Sequence, residues 1–320
     1  MKKVILALLM VLLLTGCSPS GTTESDKPTI VCTGFSQYDW VLNILGEETD
    51  QWNVIRLNER GADMHSYQPS AKDMASIINA DLVVYTGGLS EEWIAEVIEE
   101  NPNFQGKAYC LLEEGHSLDE VTVEGMFSKG HDRDHHEHHD EHEDACELDE
   151  HIWLSLDNAK DFCHDLADIM GFLDKSKADI YTSNAATYIS RLETLEQKYE
   201  NALANTKSHT LIFADRFPFL YLAEDFGLEY YAAFPGCSAE TEASFETIIF
   251  LADELKEHKL PALLITESSQ DKVAQTIIKT AELEDTEIVR LNSLQSVTDS
   301  DTTYIGAMEK NLEVLLKVLN

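Results

Sequence analysis

Short, continuously apolar runs alternate along most of this chain with longer stretches in which apolar residues recur every three or four positions. The first kind fits buried strands and the second fits one-faced helices. In the first half, Thr29 to Thr33, Trp52 to Leu57, Ala80 to Tyr85 and Ala108 to Leu112 read as strands. Helices are predicted over Tyr38–Leu45, Pro69–Ile78 and Trp93–Glu99. In the second half, strands over Thr210–Ala214, Glu229–Phe234, Leu263–Thr266 and Glu287–Leu291 alternate with helices over Pro218–Phe226, Phe245–His258, Asp271–Leu283 and Met308–Leu319. This alternation predicts an α/β fold of two lobes, each a mainly parallel sheet flanked by helices. At the end of the first lobe, a helix is predicted from about Asn158 to Met170. From Asp174 to Lys207 the chain has neither Pro nor Gly, and Ile180, Ala185, Tyr188, Leu192, Leu195 and Tyr199 keep helical spacing. One backbone helix of roughly thirty residues, on the order of 45 Å, would join the lobes and leave a cleft between them. The expected divisions are an N-terminal lobe over 29–173, a linking helix over 174–207 and a C-terminal lobe over 208–320.

Two segments break the pattern. The first is the N-terminus, where Lys2 and Lys3 precede an apolar run from Val4 to Leu14 that is too short to span a bilayer. Leu14-Thr15-Gly16-Cys17 then resembles a bacterial lipobox, which implies a signal peptide over 1–16 and lipid on Cys17. The small polar residues of 17–28 read as a tether. The expected location is the extracytoplasmic face of the cell membrane, held by acyl chains.

The second break is a polar insertion over 115–150. Its centre, His131 to Glu143, carries His131, His135, His136, His138, His139 and His142 interleaved with six carboxylates and one arginine. Every side chain there wants water, a proton or a metal, so no packed core would take it. Dense imidazole among carboxylates is a compositional signal for gathering metal ions, although an acidic solvated linker would have a similar charge.

The whole chain of 320 residues carries a formal charge of -36, which excludes nucleic acid as a partner and raises the local concentration of cations. Of six cysteines, Cys17 is assigned to lipid, and pairing among the other five cannot be deduced from spacing. No CxxC pair is present, so a structural four-cysteine zinc site has no support.

Candidate chemistry sits at strand ends, where α/β folds place their ligands. His65 lies in GADMHSYQPS, after the second strand, and His151 in DEHIW, after the insertion. Asp215 and Arg216 follow TLIFA, and Glu267 follows LLIT. Cys237, in Phe234-Pro235-Gly236-Cys237, sits on a turn near the same cleft and offers either a soft ligand or a structural thiol.

These segments together carry a resemblance. TIVCTGFSQYDWVLNILG, GADMHSYQPS and DEHIWLSLDNA are similar to the first strand and helix and the two histidine-bearing segments of the ZnuA/TroA-like (cluster A-I) solute-binding lipoproteins of metal ABC importers. A His-rich loop just before the second histidine is typical of the zinc type. The resemblance implies that His65 and His151 are metal ligands and that Glu267 is a carboxylate ligand. It departs at the third ligand, because counting back from Phe226-Gly227-Leu228 places Arg216 where the family has His or Glu. Arginine has no lone pair for a metal. Three arrangements stay open: Asp215 supplies an oxygen, a water or loop histidine fills the place, or Arg216 pairs with Glu267 or Asp215 and tunes the site from behind. The expected set is His65, His151, Asp215 and Glu267, with Arg216 behind it.

The implied function is capture of Zn²⁺, with Mn²⁺ as the other candidate, and delivery to a permease driven by an ATPase. Two rivals remain. One is an exported zinc-dependent hydrolase, against which stands the absence of HExxH and GxSxG patterns. The other is a metal-storage or adhesion lipoprotein without a permease. No enzyme activity is expected.

Overall fold

The computed structural model describes residues 27–122, 126, 148–237 and 242–320. The expected signal peptide, Cys17, most of the tether and the histidines from His131 to His142 lie outside the described residues.

Two four-stranded sheets form, and in both every pairing is parallel. The first holds β1 (Thr29–Cys32), β2 (Asn53–Arg56), β3 (Leu82–Tyr85) and β4 (Lys107–Cys110), in the order β2-β1-β3-β4. The second holds β5 (Thr210–Phe217), β6 (Glu229–Pro235), β7 (Ala262–Thr266) and β8 (Glu287–Leu291), in the order β6-β5-β7-β8. Each sheet therefore reverses direction of growth after its second strand. The loops leaving the two central strands part there and open a crevice at the carboxyl edge.

Helices cover the sheets. In the first lobe they are α1 (Phe35–Leu45), α2 (Ala71–Ile78), α3 (Glu92–Glu100) and the single turn α4 (Leu111–Glu114). Next come α5 (Leu156–Leu173) and α6 (Ala178–Leu203). The second lobe adds α7 (Leu220–Phe226), α8 (Phe245–His258), α9 (Lys272–Ala281) and α10 (Tyr304–Leu319). Their starts follow local chemistry. Ser70 and Asp73 form a reciprocal capping box on α2, while Ser155, Ser244 and Thr303 cap α5, α8 and α10. Gly227 ends α7 at φ 62°, in the left-handed region.

The linking helix is shorter than predicted. Its 26 residues span about 39 Å, because Asp174 to Lys177 form the turn that separates it from α5. Its inward face is Tyr181, Tyr188, Leu192, Leu195, Tyr199 and Leu203, with Tyr181 rather than Ile180 turned into the core. Trp52 Nε1 donates to Tyr181 Oη at 2.9 Å, and Tyr188 Oη donates to Asp39 at 2.8 Å, both in the first lobe. Tyr199 Oη donates to the Met308 carbonyl of α10 in the second lobe. Helix α10 returns the favour, since Tyr304 meets Trp40 of α1 edge-on at 5.3 Å.

Strand alternation explains how the core divides. Leu211 and Phe213 face a cluster that runs without interruption into the first lobe, through Ile30, Trp40, Phe162 and Tyr304. Ile212 and Ala214 face the other way, into a smaller cluster with Leu251, Leu263 and Ile277 beneath α8 and α9.

One buried acid lies close behind the crevice. Glu91, 7 % exposed, accepts from the backbone amides of Thr86 at 2.6 Å and Gly87 at 3.1 Å. Burial, with the Glu150 charge adding to it, pushes its carboxyl up to about 7 despite those amides. A folded pKa above the unfolded one stabilises at low pH and is lost as pH rises through the folded value. Metal-free wild type should therefore lose on the order of 3 kcal/mol, relative to Glu91→Gln, between about pH 4.5 and 7. Urea unfolding of both chains across that range measures the difference, and parallel curves would remove Glu91 as its source.

Candidate metal centre

His65 is held by the loop after β2. There Asn58 brackets Ala62, accepting from its amide at 2.9 Å and donating to its carbonyl at 2.5 Å. Gly61 has φ 64°, and a Cβ there would stand 2.7 Å from the Ser296 carbonyl of the second lobe. Asp63 then starts the helical turn Met64–Ser66, its Oδ1 accepting from the His65 amide at 3.0 Å. The other Asp63 oxygen is paired with Arg216 of β5, across the cleft.

His151 is fully buried at the start of the turn Ile152–Leu154. Asp149 Oδ1 accepts from both its backbone amide, at 2.8 Å, and its Nδ1, at 3.0 Å. The Asp149 carbonyl in turn accepts from Tyr221 Oη of α7 at 2.8 Å. Trp153 flanks the ring edge-on, 5.4 Å between centroids.

On His65, Nδ1 stands 2.8 Å from Ser90 Oγ and 3.3 Å from Glu150 Oε2. Ser90 also donates its amide to Glu150 Oε1 at 2.9 Å. Both rings thus have a partner at Nδ1, and with the proton assigned to that nitrogen the lone pair is left on Nε2. The two Nε2 atoms face each other 3.4 Å apart.

A third ligand-type atom completes the group. Cys237 follows β6 on the Pro235-Gly236 turn, and its Sγ lies with one ligand nitrogen from each histidine in a set whose members are all within 4.8 Å of one another. The turn packs closely: a Cβ on Gly236 would meet the Phe217 carbonyl at 2.8 Å and His151 Cε1 at 3.2 Å. Glu120 Oε1 accepts from the Cys237 amide at 2.8 Å.

Charge around the group is mostly negative. Burial would raise Asp63, but the Arg216 hydrogen bond and charge outweigh it and hold the carboxyl below its ordinary range. Burial likewise opposes the ionised form of Glu150, and His65 and Ser90 reverse the sign. Burial pushes the Cys237 thiol up, with Asp149, Glu120 and Glu150 adding to it and the Glu150 amide working the other way. The group opens onto a cleft of about 850 Å³ whose lining includes Glu91, Glu92, Glu113, Glu120 and Glu150.

The structure brings His65 and His151 into one close group of ligand atoms, and Asp215 and Glu267 lie outside that group. Asp215 lies on β5 and not in a loop, because that strand continues through a register shift between Phe213 and Arg216. Asp215 and Arg216 both line a second cavity that Asp63 and His65 also border. Asp215 Oδ2 accepts from Thr266 N at 3.1 Å, from Thr266 Oγ1 at 2.6 Å and from Ser269 Oγ, all within the second lobe. Arg216 takes Asp63 as its partner in place of Glu267 or Asp215. Glu267 is also occupied: Oε2 accepts from the Ser293 amide at 2.9 Å and Oε1 from Ser293 Oγ at 2.8 Å. Its link to the histidines is indirect, since the Ser293 carbonyl accepts from Trp153 Nε1 at 2.9 Å. Cys32, Cys110 and Cys163 are buried free thiols, in keeping with small hydrophobes.

Comparison with known proteins agrees with this geometry. Residues 30–318 match the profile of the zinc-uptake complex component A, periplasmic (ZnuA). The chain is 31 % identical over 321 residues to the zinc-binding lipoprotein AdcA of Streptococcus pneumoniae, covering 98 % of this chain but only 60 % of that protein's length. It is 26 % identical to the metal ABC transporter substrate-binding lipoprotein FimA of Streptococcus parasanguinis, over the full length of both. The Zn(II)-bound ZnuA-like domain of Streptococcus pneumoniae AdcA superposes with a TM-score of 0.70 at 27 % identity, over 92 % of this chain and 99 % of that one. These relatives are named as zinc-binding or substrate-binding proteins. The chain belongs to the ZnuA family of zinc-uptake components, two-lobed α/β proteins of the solute-binding type.

Proposed function

We propose that this protein captures Zn²⁺ outside the cytoplasmic membrane and hands it to the permease of an ABC importer driven by an ATPase. Lipid on Cys17 would hold it at the extracytoplasmic face, and Mn²⁺ is the competing cargo. The observation that carries the reading is the separation of 3.4 Å between two Nε2 atoms whose Nδ1 positions are both occupied. At a Zn–N distance of about 2.0–2.1 Å and a tetrahedral angle, two ligand nitrogens stand about 3.3–3.4 Å apart. Two lone pairs facing at that distance repel, and a cation between them turns the repulsion into two bonds. The acidic cleft and the charge of -36 draw cations toward that point. The histidines from His131 to His142 would hold further ions at weaker sites.

A hydrolytic reading has less support. Catalytic zinc needs a free carboxylate or similar base beside a bound water. Asp149, the carboxylate beside His151, is committed to that residue's amide and Nδ1, and Glu150 Oε1 to the Ser90 amide.

Zinc titration of the metal-free chain against a chromophoric chelator should give one tight site. His65→Ala and His151→Ala should each abolish it, while deletion of residues 131–143 should lower total stoichiometry and spare it. Tight binding that survives both histidine substitutions would end the proposal. Asp149→Ala, which frees Nδ1 of His151, should keep the stoichiometry and weaken affinity by about 10–100-fold in the same competition assay.

A further inference from the structure

We propose that Cys237 is the third protein ligand of the captured ion, standing in for the histidine that Arg216 displaces, so that the centre is an N₂S site of His65, His151 and Cys237. This rests on the zinc-capture reading and names its ligand set. Three features place the thiol there. Its Sγ lies within 4.8 Å of a ligand nitrogen on each ring, the only such group of three among the described residues. The turn that carries it is pressed against His151, with room at Gly236 for no side chain. The Cys237 amide is anchored to Glu120, which fixes the turn from the first lobe. Neither Asp215 nor Glu267 belongs to that group, and both are anchored within the second lobe, Asp215 Oδ2 by Thr266 and Ser269 and Glu267 by Ser293.

When the metal–sulfur bond forms, the thiol proton leaves to solvent and the thiolate offsets one of the two cation charges. Zn–S of about 2.3 Å with Zn–N of about 2.0–2.1 Å requires a sulfur–nitrogen separation of about 3.6 Å, which falls inside the 4.8 Å that bounds the group. Sulfur is a soft donor. It favours Zn²⁺ and disfavours Mn²⁺, whose preference is for oxygen. The ligand set therefore gives this chain a selectivity for zinc that an all-oxygen-and-imidazole set lacks.

The probe is Co²⁺ on the reduced, full-length chain, because a thiolate ligand gives cobalt an intense near-ultraviolet charge-transfer band that imidazole and carboxylate do not. Wild type and Cys146→Ser should both show the band, and Cys237→Ser should not. Cys237→Ser should also bind zinc more than about 100-fold more weakly, beyond the loss expected for a partner behind the ligands, and should lose most of its preference for zinc over manganese. Cys237→His should regain zinc affinity without the band. In wild type, zinc should protect Cys237 from alkylation by iodoacetamide, read by peptide mapping, which tests the claim even if a variant fails to fold. Stoichiometric zinc binding with no band in wild type, or Cys237 alkylated at the same rate with zinc bound, overturns the thiolate and leaves zinc capture standing. A band lost in Cys146→Ser but kept in Cys237→Ser moves the sulfur elsewhere and also overturns it. A wild type that binds no zinc overturns the parent reading and this one together.

Discussion

Two imidazole Nε2 atoms face each other across 3.4 Å, and with both ring protons on Nδ1 that arrangement has to be held by force from behind. Here the force is the partner at each Nδ1, a hydrogen bond to Asp149 behind one ring and to Ser90 behind the other, with the Glu150 carboxylate 3.3 Å from the second. Each acid is itself fixed, by Tyr221 through the Asp149 carbonyl and by the Ser90 amide. The repulsion between the rings is thus prepared during folding, and a captured cation would relieve it on arrival. That is pre-organisation in its simplest form, because the ordering has already been done before the ligand arrives.

The fold supplies the convergence. His65 hangs from the end of β2, Cys237 from the end of β6, and His151 from the start of α5, so two sheets and the inter-lobe helices meet at one point. Arg216 and Asp63 join the lobes beside it. At 18 % and 24 % side-chain exposure this pair is neither dry nor free. Its main effect is geometric, since the same Asp63 carboxylate starts the turn that carries His65.

Much of the architecture was legible because parallel strands covered on both faces must be apolar throughout, which leaves little ambiguity in runs such as LVVY and ALLIT. The two histidines were legible from their place at strand ends and from the segments around them. Other parts depend on register and could not be. The shift in β5 that keeps Arg216 on the strand has no signature in TLIFADRF. Its partner Asp63 is 153 residues away. Glu267 looked free to reach the cleft, but Thr266 pairs with Leu291, which brings Ser293 alongside to claim the carboxylate. The thiol carried only a weak mark, a Pro-Gly turn after a strand, and its proximity to the rings needs both sheets in place.

The helix α6 touches the first lobe through Tyr181 and Tyr188 and the second through Tyr199. A strut fastened at both ends resists hinge bending, and the uninterrupted core shared by the lobes resists it further. Loaded and empty forms would then keep nearly the same outline, and little of the ion's binding energy would go into closing a jaw. A membrane partner distinguishing the two forms would have to read the few loops at the rim of the cleft, where Gly61, Gly88 and Gly236 let backbone and side chains pass at contact distance. Exchange of the ion then becomes a local event, limited by how quickly those loops yield and not by the swing of a lobe.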